Sequence, residues 1–210
     1  MELINTRVND YINGMLPIRD RILQEMENFA RENRFPIIGP QAGTFLGQLV
    51  LVAGAKRIFE MGSGYGYSAY WMARNLPPSG RVICTDTSAS NIETGREFFN
   101  RAGIDSRVEF HEGDARDIIK KFDGPFDIIL NDIDKEQYPD AFELAMPRLR
   151  KGGIFITDNV LWSGRIFDKK QSESTRGIIE FNRKLFNSAG VLSSIIPIRD
   201  GLGMAVKISD

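Results

Sequence analysis

The stretch Arg57 to Tyr67, reading R-I-F-E-M-G-S-G-Y-G-Y, constrains this chain more than any other. Apolar residues Ile58, Phe59 and Met61 run into glycines at 62, 64 and 66, and a helix-compatible segment opens at Tyr67. That order predicts a buried strand that enters a tight turn and leaves as a helix. Gly62, Gly64 and Gly66 can take positive φ there and, lacking Cβ, let backbone approach a bound molecule closely. A dinucleotide fingerprint would place its third glycine where this chain has Tyr67, and the Lys-Ser/Thr pair of a P-loop is missing. Glu60, directly before the turn, would repel a pyrophosphate and suits a ligand with an amino group and a sulfonium. The turn points to S-adenosylmethionine rather than NAD; a glycine turn with no ligand is the competing reading.

From residue 56 onward, strand and helix patterns alternate, which predicts an α/β, Rossmann-like, doubly wound and mostly parallel sheet. Strands are expected at 56–61, 81–86, 107–111, 126–132 and 154–159. Helices are expected at 67–75, 89–102, 115–121 and between strand four and Leu149, with Lys151-Gly152-Gly153 making a turn. Strands at 191–197 and 203–208 lie too close in sequence for a crossover, so they pair as an antiparallel hairpin. Ahead of the sheet, apolar spacing predicts helices at 3–13 (Leu3, Ile4, Val8, Ile12) and 18–33, the latter started by Pro17. A third helix is expected at 41–53, after an extended segment Pro36 to Pro40. With 210 residues and 42% hydrophobic content the chain is read as one domain, 1–210, with 1–35 as an N-terminal helical extension. The amphipathic N-terminal helices predict a homodimer.

A formal net charge of -1 gives no general call for nucleic acid or an acidic membrane. No apolar run reaches the length of a membrane span, and no signal-peptide pattern opens the chain. The lone cysteine, Cys84, cannot form an internal disulfide; it reads as a core residue in a cytoplasmic protein.

In an open parallel sheet, ligands bind outside the carboxyl ends of the strands. Here those ends carry Glu60 to Gly66, Asp86, Asp114 with Ala115, Asp132, and Asp158 with Asn159. Asp86 lies 20 residues beyond Gly66 and is suited to the hydroxyls of a ribose, or to a helix N-cap, although Ser88 can also cap that helix. Asp114 fits either the adenine end of a cofactor or a cap. Asp132, Asp158 and Asn159 offer only oxygen, so a metal there would be hard: Mg²⁺, with Mn²⁺ or Ca²⁺ as substitutes. Lys135 follows Asp132 by three residues and reads either as a base for an acceptor hydroxyl, if a divalent cation lies close by, or as a solvated helix lysine. His111, the one histidine, is expected as a strand-end residue near the cofactor. Trp71 is expected in the core. Trp162, in the irregular segment after Asn159, either walls an aromatic substrate or packs.

Four blocks together resemble a family: Glu60 to Ser68, Asp132-Ile133-Asp134-Lys135 with Tyr138, Asp158-Asn159-Val160-Leu161-Trp162-Ser163-Gly164, and Asp200-Gly201. They are similar to the metal-dependent O-methyltransferases of the catechol and caffeoyl-CoA type, over about residue 36 to the C-terminus. The resemblance implies a class I methyltransferase fold of seven strands. It implies that Glu60, Ser68, Asp86, Asp114 and Ala115 hold S-adenosylmethionine, with Asp132 at its edge. Asp132, Asp158 and Asn159 would hold the metal and Lys135 would be the base. The implied reaction moves a methyl group to one hydroxyl of a small phenolic vicinal diol. A hydroxylated tRNA base is an alternative acceptor, and a cofactor-binding protein without turnover is the reading from another class.

Overall fold

The computed structural model describes residues 5–209, so Leu3 and Ile4 of the first expected helix lie outside the described residues. Seven strands form one sheet: β1 (Arg57–Met61), β2 (Arg81–Asp86), β3 (Val108–Glu112), β4 (Phe126–Asn131), β5 (Leu149–Thr157), β6 (Val191–Ile196) and β7 (Leu202–Lys207). Their order is β3-β2-β1-β4-β5-β7-β6. β1 pairs in parallel with both β2 and β4, and β7 runs antiparallel to β5 and β6. The expected Rossmann-like sheet and its C-terminal hairpin are both present. The chain builds outward from β1 in one direction and then returns to build outward in the other. The gap between the carboxyl ends of β1 and β4 is therefore the switch point where such sheets bind ligands.

Side-chain alternation sorts the core into two layers. Ile58, Val82, Cys84, Ile128 and Ile156 face helices α2 (Arg21–Asn33), α3 (Gly39–Val52), α4 (Tyr67–Ala73) and α5 (Ala89–Arg101). Phe59, Met61, Ile129 and Phe155 face α6 (Ala115–Ile118), α7 (Tyr138–Ala145) and α8 (Glu173–Asn187). On the second face Phe142, Phe155 and Phe181 meet at ring-centroid distances of 5.4 to 6.2 Å. The preceding helix, α1 (Thr6–Met15), buries none of its residues. It is tied to α3 through Gln41, whose Nε2 donates to Oδ1 of Asn9 at 2.8 Å and of Asn13 at 2.9 Å.

Several boundaries differ from the sequence reading for physical reasons. Pro17 does not start α2; Asp20 does, accepting the Leu23 N–H at 2.9 Å. Gly39-Pro40 belongs to α3 rather than to an extended lead-in, because Gly39 turns the chain at φ 72 and Pro suits a helix's first turn. Lys151-Gly152-Gly153 is not a turn between elements. β5 begins at Leu149 and bulges there: Phe126 pairs with Leu149 but Ile128 with Ile154, and Gly152 absorbs the excess at φ 75. The helix expected before Leu149 is α7 flanked by 3₁₀ turns at Lys135–Gln137 and Met146–Arg148.

Candidate active site

A cavity of about 720 Å³ opens at the switch point, within the range of small-molecule sites. The glycine turn forms its floor. The N–H groups of Gly62 and Ser63 both donate to the Thr85 carbonyl, at 3.1 and 2.8 Å, and the Gly64 N–H donates to Asp86 Oδ2 at 2.9 Å. A Cβ at Gly62 would stand 2.5 Å from the Asp132 carbonyl oxygen, and one at Gly64 2.9 Å from the Phe35 ring. Gly66 does not line the cavity. It caps α4 at φ 84, and a Cβ there would meet the Phe99 ring at 3.0 Å, so packing rather than a ligand requires glycine at that position.

Glu60 is fully buried on the α4 side of the sheet, beneath the cavity and outside its wall. It accepts from Ser68 Oγ, while Cys84 Sγ lies 3.7 Å from its other oxygen. Burial, reinforced by the charge of Asp132, pushes its carboxyl up to about 8, against the pull of the Ser68 hydroxyl. Ser68 does line the cavity, with Glu60 standing behind it. Asp86 lines the cavity and is not the helix cap. Its Oδ1 accepts from Ser88 N–H at 2.9 Å and Asn91 Nδ2 at 3.0 Å, while Ser88 Oγ caps α5. Asp114 caps α6 through the Arg116 N–H at 2.8 Å, one of the two roles expected for it, and with Ala115 it lines the cavity. The Arg116 guanidinium, 2.7 Å away, holds its carboxyl below the usual range.

At the other end, Asp132, Lys135, Asp158, Asn159 and Trp162 line the same cavity. Asp132 leaves β4 with its N–H bonded to the Met61 carbonyl at 2.8 Å, and Lys135 Nζ returns to its Oδ1 at 2.8 Å. Asp158 is 3% exposed, and the donor to its carboxylate is the Asn159 N–H at 2.8 Å. Burial, with Asp132 opposite, raises the Asp158 carboxyl to about 7, while Arg199 acts against it. Asp132 is also raised by burial and is drawn back by Lys135. Asn159 sits at φ 61, a backbone region asparagine tolerates, and its Nδ2 reaches Asp200 Oδ2 at 3.5 Å. Trp162 and Ser163 continue in the left-handed region at φ 50 and 51. The indole is fixed by a bond to Thr175 Oγ1 at 3.2 Å.

These donors fit a hard cation: two carboxylates and an amide, all oxygen, one carboxylate buried with a single backbone donor. Among the described residues no cluster of three or more His, Cys, Asp or Glu could hold a metal, so any such site rests on this mixed set.

His111 is not at the cavity; its Nε2 lies 2.6 Å from Glu109 and its ring packs edge-on against Phe122. Trp71 is in the core, 5% exposed. The sequence reading missed Arg199, which lines the cavity from the tip of the β6–β7 hairpin, and Phe35 to Ile38, which close it beside Gly64. Arg199 sits at φ 52 in the first central position of the turn closed by Gly201 N–H to the Ile198 carbonyl at 2.9 Å. Glycine is the unstrained residue there, and an arginine so placed costs about 1 to 3 kcal/mol. That mismatch between residue and turn is a signal a sequence can carry.

The strand order and the cavity at the β1/β4 switch point define a Rossmann-like ligand-binding architecture, and the family model for O-methyltransferase matches residues 18–208. The chain belongs to the O-methyltransferase family, and the enzyme class expected from its motifs, an S-adenosylmethionine-dependent O-methyltransferase, stands. It is 33% identical to a catechol O-methyltransferase of Niastella koreensis, over 96% of each chain. Among solved structures it is similar to the O-methyltransferase TomG of Streptomyces achromogenes in complex with SAM, at TM-score 0.89 and 29% identity over 97% of this chain and 96% of that one. An O-methyltransferase of Bacillus cereus in complex with SAH superposes at TM-score 0.88 with 31% identity, covering 96% and 97%.

Proposed function

We propose that residues 1–210 act as one catalytic domain, transferring a methyl group from S-adenosylmethionine to one hydroxyl of a catechol-like vicinal diol. The observation that carries this reading is a single cavity with two chemically different ends. Asp86, Asp114 and the glycine turn line one end, and Lys135, Asp158, Asn159 and Trp162 the other. Asp86, already braced by Gly64 and Asn91, accepts the ribose hydroxyls; Ser68 orients the amino-acid end, with Glu60 fixing Ser68 from below. Asp114 and Ala115 border the adenine.

Asp132, Asp158 and Asn159 would hold a divalent cation, Mg²⁺ or its substitutes Mn²⁺ and Ca²⁺. When bound, it would acidify and orient the two oxygens of the diol. Lys135 Nζ, held over the Tyr138 ring at 5.0 Å and beside Asp132, takes the proton from the reacting hydroxyl as the neutral amine, its own ammonium proton having first passed to solvent. Trp162 walls the aromatic ring, and the acceptor oxygen attacks the methyl carbon in line, releasing S-adenosylhomocysteine. The catechol O-methyltransferase of Niastella koreensis supports this choice of acceptor.

Apolar Val8, Tyr11, Met15 and Ile18, 50 to 94% exposed on and beside α1, support a homodimer in which a second copy covers that face. The buried free thiol of Cys84 is in keeping with a cytoplasmic enzyme. Among the described residues no helix is long and apolar enough to cross a membrane. A turnover screen with labelled S-adenosylmethionine against catechols, flavonoids and bulk tRNA tests the reading. Transfer to a diol supports it, transfer to tRNA alone replaces the acceptor, and no transfer to any of them favours a binding protein.

A further inference from the structure

Two guanidinium groups line the acceptor end of the cavity without a carboxylate partner. Elsewhere around the cavity the cations are answered: Lys135 by Asp132 at 2.8 Å and Arg116 by Asp114 at 2.7 Å. Among the described residues neither Arg165 nor Arg199 makes an ion pair. Arg165 stacks over the Trp162 ring at 3.9 Å and donates from Nε to the Trp162 carbonyl at 3.3 Å. Arg199 lies across Gly39, where a Cβ would come within 3.4 Å of its Nε and 3.7 Å of its Cζ. A planar fork that no carboxylate of the protein occupies matches the geometry of an anionic ligand group.

The acids on the same wall are mostly engaged. Asp200 accepts from Asn159 Nδ2 and the Ser163 N–H, Glu136 from Ser174 Oγ at 3.1 Å, and Asp158 from the Asn159 N–H. Asp134 is the exception, being exposed with no side-chain bond. The backbone adds an independent observation: Arg199 holds a positive φ that glycine would adopt without strain. A residue kept against its own turn geometry at the mouth of a cavity points to a task there.

We infer that Arg199, together with Arg165 on the same cavity, selects a methyl acceptor that carries an anionic group, a diol bearing a carboxylate or an equivalent oxyanion. This inference rests on the diol-methylation reading and narrows its substrate class. Arg199 also faces Asp132 and Asp158, so balancing those two charges is its competing role, and that role would favour no acceptor over another.

The test compares 3,4-dihydroxybenzoate with its neutral amide, using the full chain with S-adenosylmethionine and Mg²⁺. The expected result is a kcat/KM at least about tenfold higher for the carboxylate, carried by KM, as for a ligand ion pair taken partly out of water. In Arg199→Gly that ratio collapses toward one while the melting temperature rises, because the turn relaxes; Arg199→Lys recovers part of the ratio. Equal kcat/KM for the two acceptors in the parent, or a preference unchanged in both Arg199→Gly and Arg165→Gln, overturns the inference. Calorimetry on the protein loaded with S-adenosylhomocysteine separates it from the reading beneath it. Selective binding of the carboxylate without turnover would sustain the anion site and refute diol methylation, whereas turnover without selectivity would do the reverse.

Discussion

Glu60→Gln should stabilise this protein by an amount that grows with pH. The Glu60 carboxyl is fully buried against Ser68 and Cys84, and burial lifts it from 4.5 to about 8. A raised carboxyl means the folded state keeps its proton while the unfolded chain gives it up. The favourable contribution is therefore complete below 4.5 and is lost as pH climbs toward 8. Each unit in that window removes about 1.4 kcal/mol, so the full loss approaches roughly 4 to 5 kcal/mol as an upper bound. Glutamine has nearly the same shape, can still bond Ser68 and does not titrate. The gap between variant and parent reports this group together with its coupling to Asp132 and Asp86, while more distant ionisations cancel. Urea unfolding of both proteins without cofactor or metal, at pH values of about 5, 6.5 and 8, measures the gap. A difference that stays constant within about 0.5 kcal/mol across the series would refute the assignment of Glu60 as a proton-bearing group below the site.

Gly62→Ala should cost about 2 to 3 kcal/mol more than Gly54→Ala in the same assay. Both positions have positive φ, but the new methyl meets the Asp132 carbonyl at 2.5 Å in one and open space in the other. Removing divalent metal with EDTA, or making Asp158→Ala, should abolish methyl transfer while calorimetry still detects cofactor binding. Lys135→Ala should lower kcat by roughly 10² to 10⁴, and an unchanged kcat would return Lys135 to a structural ion pair with Asp132. Light scattering at concentrations on the order of tens of micromolar should report a dimer that Tyr11→Glu combined with Met15→Glu dissociates; a monomeric parent would show that the exposed face of α1 has another use.

The parallel interior strands were legible because apolar residues dominate both of their faces and each ends beside a polar or glycine residue at the cavity. Boundaries failed where one residue type serves two geometries. Gly152-Gly153 reads as a turn, yet here it feeds a bulge inside β5, a distinction set by pairing to β4 and invisible locally. Pro17 has the right chemistry for a helix start, but Asp20 offers the capping oxygen and wins. At the site, the strand-end rule brought Asp86, Asp114, Asp132 and Asp158 to one cavity because it depends only on sheet topology. Which way a side chain points depends on parity within the strand and on the opposing helix. Spacing alone therefore did not reveal Glu60 turning away from the cavity toward Ser68, or Arg199 entering it from a distant hairpin.

The strand order has a further consequence, for biogenesis. β7 is the last strand of the sheet in sequence but lies inside it, between β5 and β6. As the polypeptide leaves the ribosome, β1 to β5 can assemble with their helices while the outer flank of β5 stays open, a bare row of amides and carbonyls. Only when Leu202–Lys207 has emerged can that flank close, and the same event carries Arg199 and Asp200 to the mouth of the cavity. The cavity is thus finished by the final segment of the sheet to be synthesised. A nascent chain stalled before Leu202 would present a sheet with one open flank for chaperones to shield and a cavity whose mouth still lacks Arg199 and Asp200.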